Sequence, residues 1–100
     1  MSELKDFIQK EHEASPVVVW SKSYCPYCTA TKDLFQKLNV PHKVHELDQM
    51  PNGSDIQAAL QQMTGQRTVP NVFIKGKHLG GNDDTQAAYR SGHLQQLLSQ

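Results

Sequence analysis

Several things are scarce in this sequence, and each scarcity excludes something. No charge of one sign dominates: ten Lys and Arg oppose ten Asp and Glu, for a formal net charge of zero. No global field therefore draws the chain to nucleic acid or to an anionic membrane, and a charged ligand must be held by a local patch. No long hydrophobic run is present; the longest, Val17-Val18-Val19-Trp20, is far short of a bilayer span. The start, Met1-Ser2-Glu3-Leu4-Lys5, lacks a basic segment followed by an apolar one, so the expected setting is intracellular and cytosolic. Cysteine is limited to Cys25 and Cys28, which lie too close together to staple a fold. Repeats, low-complexity tracts and linkers are missing as well, and 100 residues suit one domain, expected over 1–100 and as a monomer. What is present is ordinary for a globular chain: 37% hydrophobic and 20% charged residues, with six Gly and five Pro.

Periodicity divides the chain into alternating elements. Leu4, Phe7 and Ile8 recur at helical spacing between Ser2 and about Ala14, with Glu3 and Asp6 near the positive end of the helix dipole. Val17 to Ser21 follows Pro16 and is apolar without alternation, as a central strand covered on both faces requires. Ala30, Leu34, Phe35 and Leu38 share one helical face from Pro26 onward, and Pro26 suits a first helical turn, where its missing N–H costs nothing. Lys43 to Leu47 alternates weakly and predicts a second strand, parallel to the first across a helical crossover. Ser54 and Gln57 have the spacing of a capping box, opening a helix through Ile56, Ala59, Leu60 and Met63 that Gly65 ends. Asn71-Val72-Phe73-Ile74 and Lys77-His78-Leu79 flank Lys75-Gly76 and predict a hairpin. Asn82-Asp83-Asp84-Thr85, a run of N-cap residues, precedes Ala87, Ala88 and Tyr89, and Leu94, Leu97 and Leu98 complete a last apolar helical face after Gly92. The order α-β-α-β-α-β-β-α implies an α/β fold: a four-stranded mixed sheet flanked by helices on both faces, similar to that of thioredoxin.

The chemistry concentrates at a strand-to-helix junction, in Cys25-Pro26-Tyr27-Cys28. With a helix starting at Pro26, Cys25 takes the N-cap, where unpaired N–H groups and the dipole favour a thiolate, and Lys22 adds a nearby positive charge. A thiolate attacks disulfide sulfur, and a second cysteine one turn on can resolve the mixed disulfide. Cys25 is the candidate nucleophile and Cys28 the resolver. Two cysteines at this spacing could instead supply half a zinc site. The five His do not form the usual second half: His42 and His45 are close together on a strand-like segment, and His12, His78 and His93 are dispersed. Inert buried cysteines are the bland alternative, and a non-catalytic interaction domain retaining a redox fold is a third.

Two further stretches bear on a ligand. In Arg67-Thr68-Val69-Pro70 a cis proline would leave the Val69 backbone free to pair with an extended peptide, whereas an isolated X-Pro is ordinarily trans at a strand start. In Gly80-Gly81-Asn82-Asp83-Asp84 the glycines permit close approach, the helix N-terminus offers donors to a carboxylate, and Asp83 or Asp84 could receive an ammonium group. Plain N-capping by Asn82 or Asp83 competes with that use, a capping box competes for Gln57, and Lys22 and Arg67 could simply be solvated.

At Lys22 to Cys28, at Gly65-Gln66-Arg67-Thr68-Val69-Pro70-Asn71 and at Gly80 to Asp84, in that order across nearly the whole chain, the sequence resembles a dithiol glutaredoxin, with similarity to the cytosolic fungal members. The resemblance implies a thioredoxin-like fold and a glutathione-dependent thiol–disulfide oxidoreductase, with glutathione as co-substrate and no metal. It implies that Lys22, Gln57 and Arg67 approach the glycine carboxylate of glutathione and that Tyr27 flanks the tripeptide. Thr68, Val69 and Pro70 would hold its cysteine backbone, and Gly81, Asn82, Asp83 and Asp84 would receive its γ-glutamyl end. Glutathionylated or disulfide-containing proteins are the implied substrates, and glutathione reductase with NADPH the external reductant. Thioredoxins carry Gly-Pro between the cysteines and monothiol glutaredoxins carry Cys-Gly-Phe-Ser, and this chain has neither. Some relatives bind an iron–sulfur cluster, but Pro26 resembles the members that do not favour it.

Overall fold

The computed structural model describes residues 2–100. The elements run α1 (Ser2–Ala14), β1 (Val17–Ser21), α2 (Pro26–Lys37), β2 (Lys43–Glu46), a 3₁₀ turn (Leu47–Gln49), α3 (Gly53–Thr64), β3 (Asn71–Ile74), β4 (Lys77–Gly80), α4 (Asn82–Ser91) and α5 (His93–Ser99). The sheet order is β2-β1-β3-β4. β1 pairs parallel with β2, Val19 opposite Val44, and antiparallel with β3, Val19 opposite Val72. The parallel pair follows from the α2 crossover, and the antiparallel pair β3–β4 from a short turn at Lys75-Gly76, where both residues take positive φ (50° and 81°).

Because successive strand residues point to opposite faces, β1 serves two cores at once. Val18 and Trp20, with Phe73, pack against Ile8 of α1 and against Ile56, Ala59 and Leu60 of α3. Val17 and Val19, with Val72 and Ile74, pack against Leu34 and Phe35 of α2, Ala88 of α4 and Leu94 of α5. Every residue of β1 is buried, which explains its unbroken apolar composition. The expected mixed sheet with helices on both faces is the observed architecture.

Three local expectations are corrected. The capping box does not form: α3 begins at Gly53, its N-cap Asn52 makes no side-chain bond, and the Gln57 amide donates instead to the Arg67 carbonyl at 2.8 Å. The early start is set by packing, since a Cβ on Gly53 would lie 1.8 Å from the Leu47 carbonyl oxygen, closer than any side chain allows. Asn82 and Asp83 do not cap α4; Gly81 occupies the N-cap and Asn82 is the first helical residue. The last helix is broken in two at Gly92, which takes left-handed φ (84°) and turns α5 so that Leu94 is fully buried.

Candidate functional site

The C-terminal end of β1 leads through Lys22, Ser23 and Tyr24 into α2, and the loop geometry fixes the first cysteine. Cys25 is the N-cap of α2 in extended conformation (φ −89°, ψ 119°), with Pro26 opening the helix behind it. The Cys28 N–H points at Cys25 Sγ from 3.4 Å. Burial opposes charge on the half-buried Cys25, but the N–H groups of Cys28 and Tyr27, the Cys28 thiol and the positive charge of Lys32 outweigh it and hold its pKa below the usual thiol value. Cys28 lies fully buried one turn on. Burial pushes its pKa up, and the neighbouring Cys25 adds to that, although the Lys22 N–H donates to Cys28 Sγ at 3.5 Å. The pair is thus divided into a half-buried thiol whose ionisation is favoured and a buried one whose ionisation is opposed.

The cation that lowers the Cys25 pKa is Lys32, the smallest of the contributions just named. Lys32 follows Cys25 by two helical turns and pairs with Glu46 at 2.7 Å. Lys22 is placed differently. It lines a cavity of about 310 Å³ with Ser54, Gln57, Ala58, Gln61 and Arg67, and its charge helps, after the Ser23 hydroxyl and N–H, to keep Asp48 below the usual carboxylate range. Asp48 receives both Ser23 groups, the N–H at 2.9 Å, and so ties the loop before Cys25 to the 3₁₀ turn.

A separate groove of about 510 Å³ is lined by Tyr27, Gln66, Thr68, Val69, Pro70, Gly81, Asn82, Asp83 and Asp84. The Val69–Pro70 peptide is cis, and the Val69 carbonyl faces Cys25 Sγ at 3.9 Å. Asn82 is held from behind, its Oδ1 accepting from buried Thr31 of α2 at 2.9 Å and from Gln86 at 3.2 Å. At Gly80 a Cβ would lie 2.2 Å from the Asp84 carboxylate, so the missing side chain makes room for Asp84.

The structure therefore places the eleven expected ligand residues in two groups, Lys22, Gln57 and Arg67 in one cavity and the other eight in the groove. Lys32, Asp48, Thr31 and Gln66 went unassigned in the sequence. Helical spacing from Cys25 is a signal for Lys32, whereas Asp48 and Thr31 act across tertiary contacts that no local pattern records. Among the described residues no group of three or more His, Cys, Asp and Glu is arranged to hold a metal ion.

A dithiol at the start of the helix that follows a central β-strand, facing a peptide backbone across the sulfur, defines the thiol redox proteins of thioredoxin-like fold. Comparison narrows the class. The glutaredoxin profile matches residues 17–79. Relatives include Glutaredoxin-C6 of rice, 56% identical over 92 residues (91% of this chain, 82% of that one), and Glutaredoxin-1 of the fungus Rhizophagus irregularis, 44% identical over 99 residues (99% and 98%). A crystal structure of a buckwheat glutaredoxin–glutathione complex superimposes with TM-score 0.95 at 47% identity, covering 98% of this chain and 89% of that one. A wheat glutaredoxin does so with TM-score 0.93 at 49% identity, covering 98% and 91%. The chain belongs to the glutaredoxin family, the glutathione-dependent thiol–disulfide oxidoreductases.

Proposed function

We propose that this glutaredoxin reduces protein–glutathione mixed disulfides and protein disulfides in the cytosol, as a monomer, with Cys25 as nucleophile and Cys28 as resolving thiol. The observation that carries the reading is the lowered pKa of Cys25, whose sulfur faces the Val69 carbonyl of the groove at 3.9 Å. Glutathione has two carboxylates, one ammonium group and a central thiol, and the two cavities match it end to end. Lys22 and Arg67 supply positive charge for the glycine carboxylate, and Gln57 gives one amide hydrogen to Arg67 and keeps the other for the ligand. Thr68, Val69 and Pro70, which line the groove together with Tyr27, would hold the cysteinyl backbone. At the far end Gly81 and Asn82 begin α4, whose N–H groups suit the γ-glutamyl α-carboxylate, while Asp83 and Asp84 suit the ammonium group. With its Oδ1 engaged, Asn82 presents only donors to the ligand.

The Cys25 thiolate attacks the glutathione sulfur of a mixed disulfide, forms the Cys25–glutathione bond and expels the target protein as a thiolate. A second glutathione thiolate attacks the glutathione sulfur of that bond, giving glutathione disulfide and restoring the Cys25 thiolate. With a protein disulfide, Cys25 forms the mixed disulfide, and Cys28 loses its proton and attacks the Cys25 sulfur, releasing the second target thiolate. Two glutathiones then reduce the Cys25–Cys28 bond. Capture of Cys25 removes the charge that helps hold Cys28 protonated, so the resolver becomes more reactive when it is needed. Glutathione reductase and NADPH regenerate glutathione outside this chain.

The test is the initial rate of deglutathionylation of a mixed-disulfide peptide with glutathione, glutathione reductase and NADPH. Cys25→Ser loses this activity, and Cys28→Ser keeps it while losing reduction of protein disulfides. An inactive wild type would refute the reading.

A further inference from the structure

Gln66 lines the groove together with Val69, and every polar atom of its side chain is engaged. Its Nε2 donates to the Thr68 carbonyl at 3.0 Å and to the Pro70 carbonyl at 2.9 Å, and its Oε1 faces His78 Nε2 of β4 at 3.2 Å. This fixes the amide orientation, because the reversed amide would set an oxygen against two carbonyl oxygens. It also fixes the His78 tautomer, since Oε1 can only accept and the proton must sit on Nε2. The two carbonyls gripped by Gln66 flank the Val69 peptide groups. Among the described residues the Val69 N–H has no partner, and the Val69 carbonyl meets only the Cys25 sulfur. Thr68 is exposed and lies outside β3, so no sheet ladder sets the direction of these groups.

We propose that Gln66 is a positioning residue for substrate. By holding the carbonyls of Thr68 and Pro70 it directs the Val69 N–H and C=O toward an incoming cysteinyl backbone, and His78 locks Gln66 in the orientation that does so. The inference rests on the glutathione reading above and adds a division of labour: Gln66 governs docking of the peptide part of the substrate, whereas the chemistry of Cys25 depends on the α2 terminus and Lys32. No hydrogen bond links Gln66 to either cysteine among the described residues. Its removal should therefore separate substrates that carry a peptide backbone from those that do not.

Gln66→Met and Gln66→Glu both keep the side-chain length, and neither provides the paired amide donors at neutral pH. Each is compared with wild type on a glutathionylated peptide under turnover with glutathione. Each is also compared in single-turnover oxidation of the reduced protein by hydroxyethyl disulfide, which has no amide to dock. In the second reaction Cys25 and Cys28 become a disulfide and the reagent is reduced to two thiols. Both variants should raise KM for the peptide about tenfold with little change in kcat, the weight of one hydrogen bond. Oxidation by hydroxyethyl disulfide should keep its wild-type rate. A thermal melt verifies that each variant is folded, and either folded variant suffices. An unchanged KM with an active wild type overturns the role of Gln66, as does equal slowing of both reactions, which would mark a general structural defect. A wild type inert toward the peptide but oxidised by hydroxyethyl disulfide would overturn the glutathione reading itself.

Discussion

The difference between Lys22 and Lys32 separates proximity in sequence from proximity in space. Lys22 stands closer to Cys25 along the chain, yet the loop turns its side chain into the cavity with Gln57 and Arg67, while Lys32 supplies the charge that favours the thiolate. Lys32→Met should raise the Cys25 pKa, because the N–H groups of Cys28 and Tyr27 then act without a cation. Thiolate absorbance across a pH titration reads the midpoint directly, and alkylation by iodoacetamide near neutral pH should slow a fewfold. Lys22→Met should leave that midpoint in place and weaken the glycine end of glutathione instead. A reversed pattern would return the electrostatic role to Lys22. Cys25 and Cys28 themselves were legible because their chemistry is local: an N-cap, a proline and one helical turn suffice to assign a nucleophile and a resolver.

At the scale of elements, legibility followed the range of the forces involved. The apolar faces of α2 and α3 and the unbroken hydrophobicity of β1 are written in local periodicity, and Gly65 ends α3 in the expected left-handed conformation (φ 79°). The start of α3 departs from the capping pattern that Ser54 and Gln57 satisfy, because the close approach of Gly53 to Leu47 decides the outcome through a contact outside the helix. The hydrogen bond that a capping box would have given Gln57 goes to Arg67, linking α3 to the segment that precedes Val69. Gly53→Ala tests that contact. Helix propensity alone would make it stabilising by up to about 1 kcal/mol. The clash with a backbone carbonyl predicts destabilisation of about 2 kcal/mol, seen as a lower urea midpoint at constant m. Because Asp48 of the displaced 3₁₀ turn anchors Ser23, Cys25 should also alkylate at an altered rate. A variant as stable as wild type would show that the turn yields without cost.

At the scale of the whole molecule, the sheet separates α2, which carries the two cysteines, from a second titratable cluster that contributes to stability. His12 of α1 is nearly buried, stacks on Phe73 at 3.8 Å and accepts the Trp20 indole N–H at 3.0 Å. Burial, aided by the nearby His45, pushes its pKa down to about 4 against the weaker pull of Glu11. His45, stacked on Trp20, is likewise lowered chiefly by burial. The sign follows from linkage. A base whose pKa is lower in the folded state than in the unfolded chain binds more protons unfolded, so its contribution is complete above about pH 6.5 and is lost as pH falls toward about 4. Protonation also removes the acceptor that Trp20 uses. The shift at His12 corresponds to about 3 kcal/mol at most, a sizeable part of the stability of a small domain. His12→Gln retains an acceptor for Trp20 and does not titrate. Urea unfolding followed by the fluorescence of Trp20, the single tryptophan, should lose stability steeply in the wild type between about pH 7 and about pH 5, and less steeply in His12→Gln. Equal slopes would assign the acid sensitivity to the other groups, His45 and His78 among them. The Cys25 thiolate midpoint should be the same in both proteins, since His12 lies on the α1 and α3 face of the sheet and α2 on the other.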